Sequence, residues 1–121
     1  MATLTPTLTL ASTDISASEA MSLSVTDSLD ILGGAVQFQV VTSTTGTVFA
    51  AAANYTKSYV FLQNLDSSIA MTIEKADGGD EYFSLAAKEF AFFPWASEVD
   101  LAVDAASGTP TLEVRIFQAA S

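Results

Sequence analysis

The sequence predicts an all-β protein that folds as a single β-sandwich of jelly-roll type. Segments that alternate apolar and polar residues recur roughly every 8–12 residues along the chain, a spacing typical of sandwiches and barrels. Gly, Asp, Ser and Pro separate these segments, and each of them favours turns. No segment carries the helical period over the length that a stable helix needs.

The chain opens with an alternating segment from Leu4 to Leu10 that Pro6 interrupts. Because proline lacks a ladder donor and is confined to sheet edges, we expect an extended N-terminal arm over residues 1–13 and a sandwich domain over residues 14–121. Such an arm can add a strand to an exposed edge, either of its own sandwich or, as we favour, of a neighbouring subunit. Further strands of the first half are predicted at residues 21–26, 29–32 and 35–42.

The second half is more regular and richer in aromatic residues. Residues 58–64 form a continuous apolar run, which predicts a strand buried on both faces, and the alternation at residues 69–75 predicts its hairpin partner. The alanine-rich segment 47–55 is expected to form a loop or one helical turn. The glycine turn Asp77-Gly78-Gly79-Asp80 is the strongest in the chain. Further strands are predicted at residues 81–85, 89–95, 99–104 and 111–118.

The composition argues against most enzyme chemistry. The chain has no His and no Cys, so the usual general base, thiol nucleophile and soft metal ligands are missing, and we expect no enzyme, no cofactor and no bound metal. Fourteen acidic against four basic residues give a formal net charge of −10, which opposes binding to nucleic acid or anionic lipid. No apolar run could span a membrane and no secretory signal is evident, so we expect synthesis in a cytoplasm.

Two local patterns leave alternatives open. The carboxylates from Asp77 to Glu81 fit a solvated hairpin turn better than a loose calcium site, because their spacing differs from that of an EF-hand. The aromatic segment from Phe90 to Trp95 predicts a packed cluster of Phe90, Phe92, Phe93 and a buried Trp95. The alternative is a carbohydrate-binding module that stacks sugars on exposed rings. Its candidate rings are Trp95, Tyr55, Tyr59 and Tyr82.

The mean hydropathy of +0.39 is high for a small soluble protein. Some of the apolar surface is therefore expected to be buried against other chains, and a homo-oligomer is expected, with a trimer favoured. The candidate interface residues come from the arm and the aromatic segment: Leu4, Pro6, Leu8, Leu10, Phe92, Phe93 and Trp95.

Several segments resemble the small structural proteins of tailed-bacteriophage virions, of the head decoration (cement) type. These segments are Leu8–Ile15, Met21–Leu29, Lys57–Asn64, Tyr82–Leu85, Glu89–Trp95 and Ser107–Phe117. The resemblance covers most of the chain as a pattern, although Ala86-Ala87-Lys88 stands where such proteins often have Pro-Gly before this Glu.

This resemblance implies a sandwich on the outer capsid surface of a virion, synthesised in the cytoplasm of a host. It would bind across subunits of the major capsid protein and stabilise the head, and the type brings no catalytic residues with it. The alternative is a carbohydrate- or receptor-binding sandwich module of a phage fibre or tail.

Overall fold

The computed structural model of the chain describes residues 2–13, 21–76 and 80–120. Within these ranges the chain forms twelve β-strands and one 3-10 helix, the latter at Ala52–Asn54 within the alanine-rich segment. The strands are β1 Ala2–Leu4, β2 Thr7–Ser12, β3 Met21–Thr26, β4 Leu29–Ile31, β5 Val36–Val41, β6 Thr47–Ala50, β7 Ser58–Asn64, β8 Met71–Lys75, β9 Glu81–Leu85, β10 Phe90–Trp95, β11 Leu101–Ala105 and β12 Thr111–Gln118. No helix among the described residues has the length and apolar character that crossing a bilayer requires.

Contacts divide the chain into two compact units, with the boundary between Gly33 and Gly34. The sandwich unit runs from Gly34 to Ala119, and the N-terminal unit holds the chain up to Gly33 together with Ala120. The boundary predicted after residue 13 differs from this division. The reason is pairing, because β1 and β2 form ladders with β4 and β3 of the same chain, so the later strands belong with the arm.

The sandwich unit consists of two antiparallel sheets with the strand orders β10-β7-β12-β5 and β6-β11-β8-β9. Between β5 and β12, every connection except that from β8 to β9 passes from one sheet to the other. This interleaving of eight strands is the order of a jelly roll, so the predicted all-β sandwich is confirmed. The hairpin predicted between β7 and β8 is wrong, because β7 pairs with β10 and β12 whereas β8 pairs with β9 and β11.

The core lies between the two sheets and follows the alternation of each strand. Strand β7 buries Val60 and Leu62, while Tyr59 and Phe61 are only partly buried on its outer side. The prediction that this strand is buried on both faces is therefore wrong. The fully or almost fully buried side chains that meet in the core include Val60, Leu62, Met71, Ile73, Leu101, Val103, Leu112, Val114 and Ile116.

Buried polar side chains join the strands at the margins of this core. The hydroxyl of Thr42 donates to the carbonyl of Val103 at 2.8 Å, which links the end of β5 to β11 in the opposite sheet. Asn64 ends β7, and its Nδ2 lies within hydrogen-bonding distance of three carbonyls, those of Ile69, Leu85 and Ala86. Because each polar atom has a partner, these residues can lie in the interior without a large desolvation cost.

Candidate interaction surfaces

The first candidate surface is the apolar side of the ribbon formed by β2 and β3. Direct cross-strand pairs share a face, and two such pairs are Leu8 with Val25 and Leu10 with Leu23. All four of these side chains remain 44–52% exposed. The intervening pairs on the opposite side are polar or small: Thr7 with Thr26, Thr9 with Ser24, and Ala11 with Ser22.

This ribbon cannot owe much stability to its own two strands. An isolated two-stranded ribbon is marginal in water and needs packing against a further layer. The four aliphatic side chains remain half exposed in the single chain. A surface of this kind gains stability when another chain covers it.

The second candidate surface, which we call the aromatic face, is the outer side of the β10-β7-β12-β5 sheet. Its rings belong to Tyr59, Phe61, Phe90, Phe92 and Phe117. Phe90 and Phe92, on the edge strand β10, are 61% and 41% exposed. Diagonal neighbours stack on each other: Tyr59 and Phe92 have ring centroids 6.4 Å apart, and Phe61 and Phe90 have theirs 6.2 Å apart. Within each pair, the two rings therefore partly cover each other.

The aromatic face also carries charge in an incomplete arrangement. Lys57 lies over the ring of Tyr59 at 5.4 Å from its centroid, a distance at which a cation and a ring attract. Arg115 is half exposed, and its guanidinium approaches Oε1 of Glu113 only to 4.0 Å. Glu113 is 8% exposed, and Gln37 donates to its Oε1 at 3.4 Å. Its Oε2 is buried and has no hydrogen-bond partner among the described residues.

The aromatic segment that was predicted to pack as one cluster is divided by the pleat of β10. Trp95 is 6% exposed, so its predicted burial is confirmed, and Phe93 packs beside it against the core. Phe90 and Phe92 point to the outer side, so the predicted single cluster is wrong. The physical reason is the two-residue period of a strand, which sends successive side chains to opposite faces.

The predicted interface residues are distributed accordingly. Leu8, Leu10 and Phe92 are exposed and belong to the two surfaces described above. Leu4 and Pro6 are partly buried in the N-terminal unit. Phe93 and Trp95 face the core of the sandwich, where Trp95 is buried and Phe93 is partly buried.

Sequence reasoning did not single out Tyr59, Phe61, Phe90 and Phe117 as one surface. The alternation of residues 111–118 does place Glu113, Arg115 and Phe117 on one side of their strand. The order of the strands was needed to bring those residues next to the rings of β7 and β10.

The rings proposed as sugar platforms differ in their surroundings. The indole Nε1 of Trp95 donates to the carbonyl of Val99 at 3.2 Å, and the ring of Tyr55 lies 5.7 Å away. Tyr59 stacks on Phe92, whereas Tyr82 is 47% exposed on the outer side of the other sheet. Trp95 is therefore a core residue rather than a platform.

The glycine turn considered as a calcium site falls largely outside the described residues, since residues 77–79 are not among them. The described part of the chain contains no group of three or more carboxylate, imidazole or thiol side chains that could hold a metal ion.

The outer side of the β6-β11-β8-β9 sheet has an acidic character that contrasts with the aromatic face. Glu74 of β8 lies directly opposite Glu81 of β9 in the register. Burial of Glu74, together with the charges of Asp104 and Glu81, raises the pKa of its carboxyl above the ordinary value of 4.5. The folded state therefore binds this proton more tightly than the unfolded state does.

We expect Glu74→Gln to raise the free energy of unfolding at neutral pH. A raised carboxyl pKa makes a contribution to stability that is complete below pH 4.5 and is lost as the pH rises through the folded-state pKa. The variant removes both the charge repulsion at this position and its dependence on pH. Its free energy of unfolding should therefore fall less than that of the unmodified protein as the pH rises from 4.5 to neutrality. Urea unfolding at a series of pH values measures the effect. Glu98→Gln, at an exposed loop position, is the control, and an unchanged pH profile in Glu74→Gln would contradict the prediction.

Comparisons with known proteins give one distant structural likeness. No family model matches the chain, and no curated protein matches it. Among solved structures, the chain is similar to a pilus protein of Bacillus endospore appendages, described as a novel family of disulfide-linked pili. The two share 15% sequence identity with a TM-score of 0.49, over 76% of this chain and 90% of that one.

Proposed function

We propose that this protein is a structural subunit of a virion, a decoration protein on the outer surface of a tailed-phage head. It binds across neighbouring subunits of the major capsid protein and to further copies of itself, without catalysis. The observation that supports the proposal best is the apolar side of the β2-β3 ribbon, where Leu8, Leu10, Leu23 and Val25 remain half exposed. The resemblance of sequence segments to decoration proteins supplies the identity of the partner.

The mechanism follows from binding alone. A ligand that binds the assembled shell but not its separated subunits stabilises the shell by the free energy of that binding. Each copy that buries its ribbon against two capsid subunits therefore raises the cost of separating them. The exposed leucines and valine supply a contact that does not weaken at high salt, because burial of apolar area does not depend on charge.

Purified particles test the identity of the assembly. Under this proposal, the chain is present in virions of the phage whose genome encodes it, and a gold-labelled antibody decorates the head in negative-stain images. A label confined to fibres or tails would instead favour the receptor-binding alternative, and absence from the particles would refute both.

We expect Leu8→Asp combined with Leu10→Asp to weaken binding to undecorated heads at least tenfold. The two carboxylates would have to be desolvated in the contact, which opposes burial of the ribbon. Co-sedimentation of the variant with heads measures bound and free protein.

A matched control lies on the other side of the same strand. Thr7→Asp combined with Thr9→Asp adds the same charge to the polar face of the ribbon, and this variant should bind as the unmodified protein does. Equal binding by both double variants would show that the ribbon is not the contact.

A further inference from the structure

The aromatic face combines features that contacts within the chain satisfy only in part. Its exposed rings, its half-exposed Arg115 and the unpartnered Oε2 of Glu113 lie on neighbouring strands of one sheet. Buried polar atoms are nearly always satisfied, and Oε2 of Glu113 has no partner among the described residues, although the Arg115 guanidinium reaches Oε1 of the same carboxylate at 4.0 Å. We propose that the aromatic face binds the same face of a second copy about a twofold axis.

The strand register supplies the argument for this occupant. Two adjacent rows of side chains cross the sheet from β10 through β7 and β12 to β5. The first row is Phe92, Phe61, Arg115 and Gln37, and the second is Phe90, Gln63, Glu113 and Gln39. The two rows correspond at three of their four positions. Both have a phenylalanine in the edge strand β10 and a glutamine in β5, and in β12 both have a charged residue, positive in the first row and negative in the second.

A twofold axis between the rows makes the face complementary to itself. Let the axis lie in the plane of contact, run parallel to the two rows and cross β12 near Val114. Rotation about this axis then places the first row of one copy over the second row of the other. Arg115 then faces Glu113 of the second copy, and Phe92 faces Phe90 of the second copy. Isologous contacts have this reciprocity, in which residue i meets j and j meets i. A rotation of the Glu113 side chain, on the outer side of β12, turns Oε2 toward the incoming guanidinium.

The distribution of charge favours a second copy despite the net charge of −10. Lys57 and Arg115, two of the four basic residues, lie at the aromatic face, where Glu113 is the acidic residue of the paired strands. Glu74, Glu81 and Asp104 lie on or beside the outer side of the other sheet, which faces away in this arrangement. Two aromatic faces therefore meet without bringing these acidic sides together.

The size of the face places the contact in the class of small interfaces. Four strands about 4.8 Å apart, with some six residues at about 3.3 Å each, give a face of roughly 20 by 20 Å. Two such faces bury on the order of 1,000 Å², which is below the roughly 1,200 Å² of standard stable interfaces. An interface of this size belongs with weak, transient contacts, so we expect association that is populated only at high protein concentration. On a particle, where the proposed function holds copies close together, even this weak contact is populated.

Sedimentation velocity on the full chain over a concentration series tests the inference. The mass should double at high concentration, and Phe92→Ser should raise the dissociation constant at least tenfold. Tyr82→Ser is the matched control, because it removes a comparably exposed ring from the outer side of the other sheet and should leave association unchanged. The proposal would be refuted if the mass does not double at high concentration, or if the two substitutions change the dissociation constant equally.

Charge exchange tests the pairing across the axis. Arg115→Glu and Glu113→Lys should each abolish association alone, because each brings like charges together. An equimolar mixture of the two should associate, since both contacts then join opposite charges. Circular dichroism shows whether Glu113→Lys folds. If it does not, the comparison of Phe92→Ser with Tyr82→Ser tests the proposal. These measurements need no capsid. Loss of self-association therefore bears on this inference, whereas loss of binding to heads bears on the proposed function.

Discussion

Replacing Trp95 by alanine should lower the free energy of unfolding by about 3–5 kcal/mol. The indole is 6% exposed and belongs to the core cluster, with Phe93 packed against the same cluster on the same side of β10. Its Nε1 donates to the carbonyl of Val99, and the Tyr55 ring packs at 5.7 Å. Alanine leaves a cavity that the two sheets cannot close, because their separation is set by the other core side chains.

Urea unfolding monitored by far-ultraviolet circular dichroism measures this loss. Phe92→Ala is the matched control, since it removes an aromatic ring from the same strand but from the outer side, where 41% of the residue is exposed. That variant should lose less than about 1 kcal/mol, as exposed substitutions usually do. Similar losses for the two variants would mean that β10 does not alternate between core and surface as described.

Replacing Asn64 by leucine should cost about 3 kcal/mol or more. Leucine is similar in size but cannot donate to the carbonyls of Ile69, Leu85 and Ala86, which lie 2.8–3.2 Å from Nδ2. It also cannot accept from the amide of Asp66, which donates to Oδ1 at 2.9 Å. Each buried polar group left without a partner costs roughly 1–3 kcal/mol.

The neighbouring residue provides the comparison. Gln63→Leu changes the outer side of the same strand, where the side-chain amide donates to the carbonyl of Lys88 at 3.3 Å. This variant should change stability by less than about 1 kcal/mol, and thermal unfolding of both variants measures the difference. If Asn64→Leu proves neutral, the end of β7 is not held to the β8-β9 corner by these bonds.

The sequence predicted most strands because their signals are local. The alternation at residues 36–41 and 111–118, and the turn residues between segments, depend only on near neighbours along the chain. The all-β class follows from these signals, and so does the burial of Trp95, which comes at the end of a strongly apolar segment. The hairpin assigned to β7 and β8 failed because a short turn between two strands has the same local appearance whether the strands pair or separate into two sheets.

The candidate surfaces depended on more than local pattern. The two-residue period of a strand places Phe93 and Trp95 on the side of β10 opposite to Phe90 and Phe92, but it does not indicate which pair faces the core. That choice depends on the opposing sheet, where Met71, Ile73 and Leu101 supply the other half of the interior. The pairing of β2 with β3 was likewise outside the reach of sequence, since two alternating segments can each add to many edges.

The sequence by itself determined the strand-forming segments, the acidic charge and the absence of His and Cys, because each is a property of composition or of near neighbours. The tertiary structure alone decided that Phe61, Phe92 and Arg115 lie in one row and that Glu113 lies in the next. Those neighbours come from strands far apart in the chain. Only the long-range ladder of backbone hydrogen bonds, with one side of each strand buried, selects the register that brings them together.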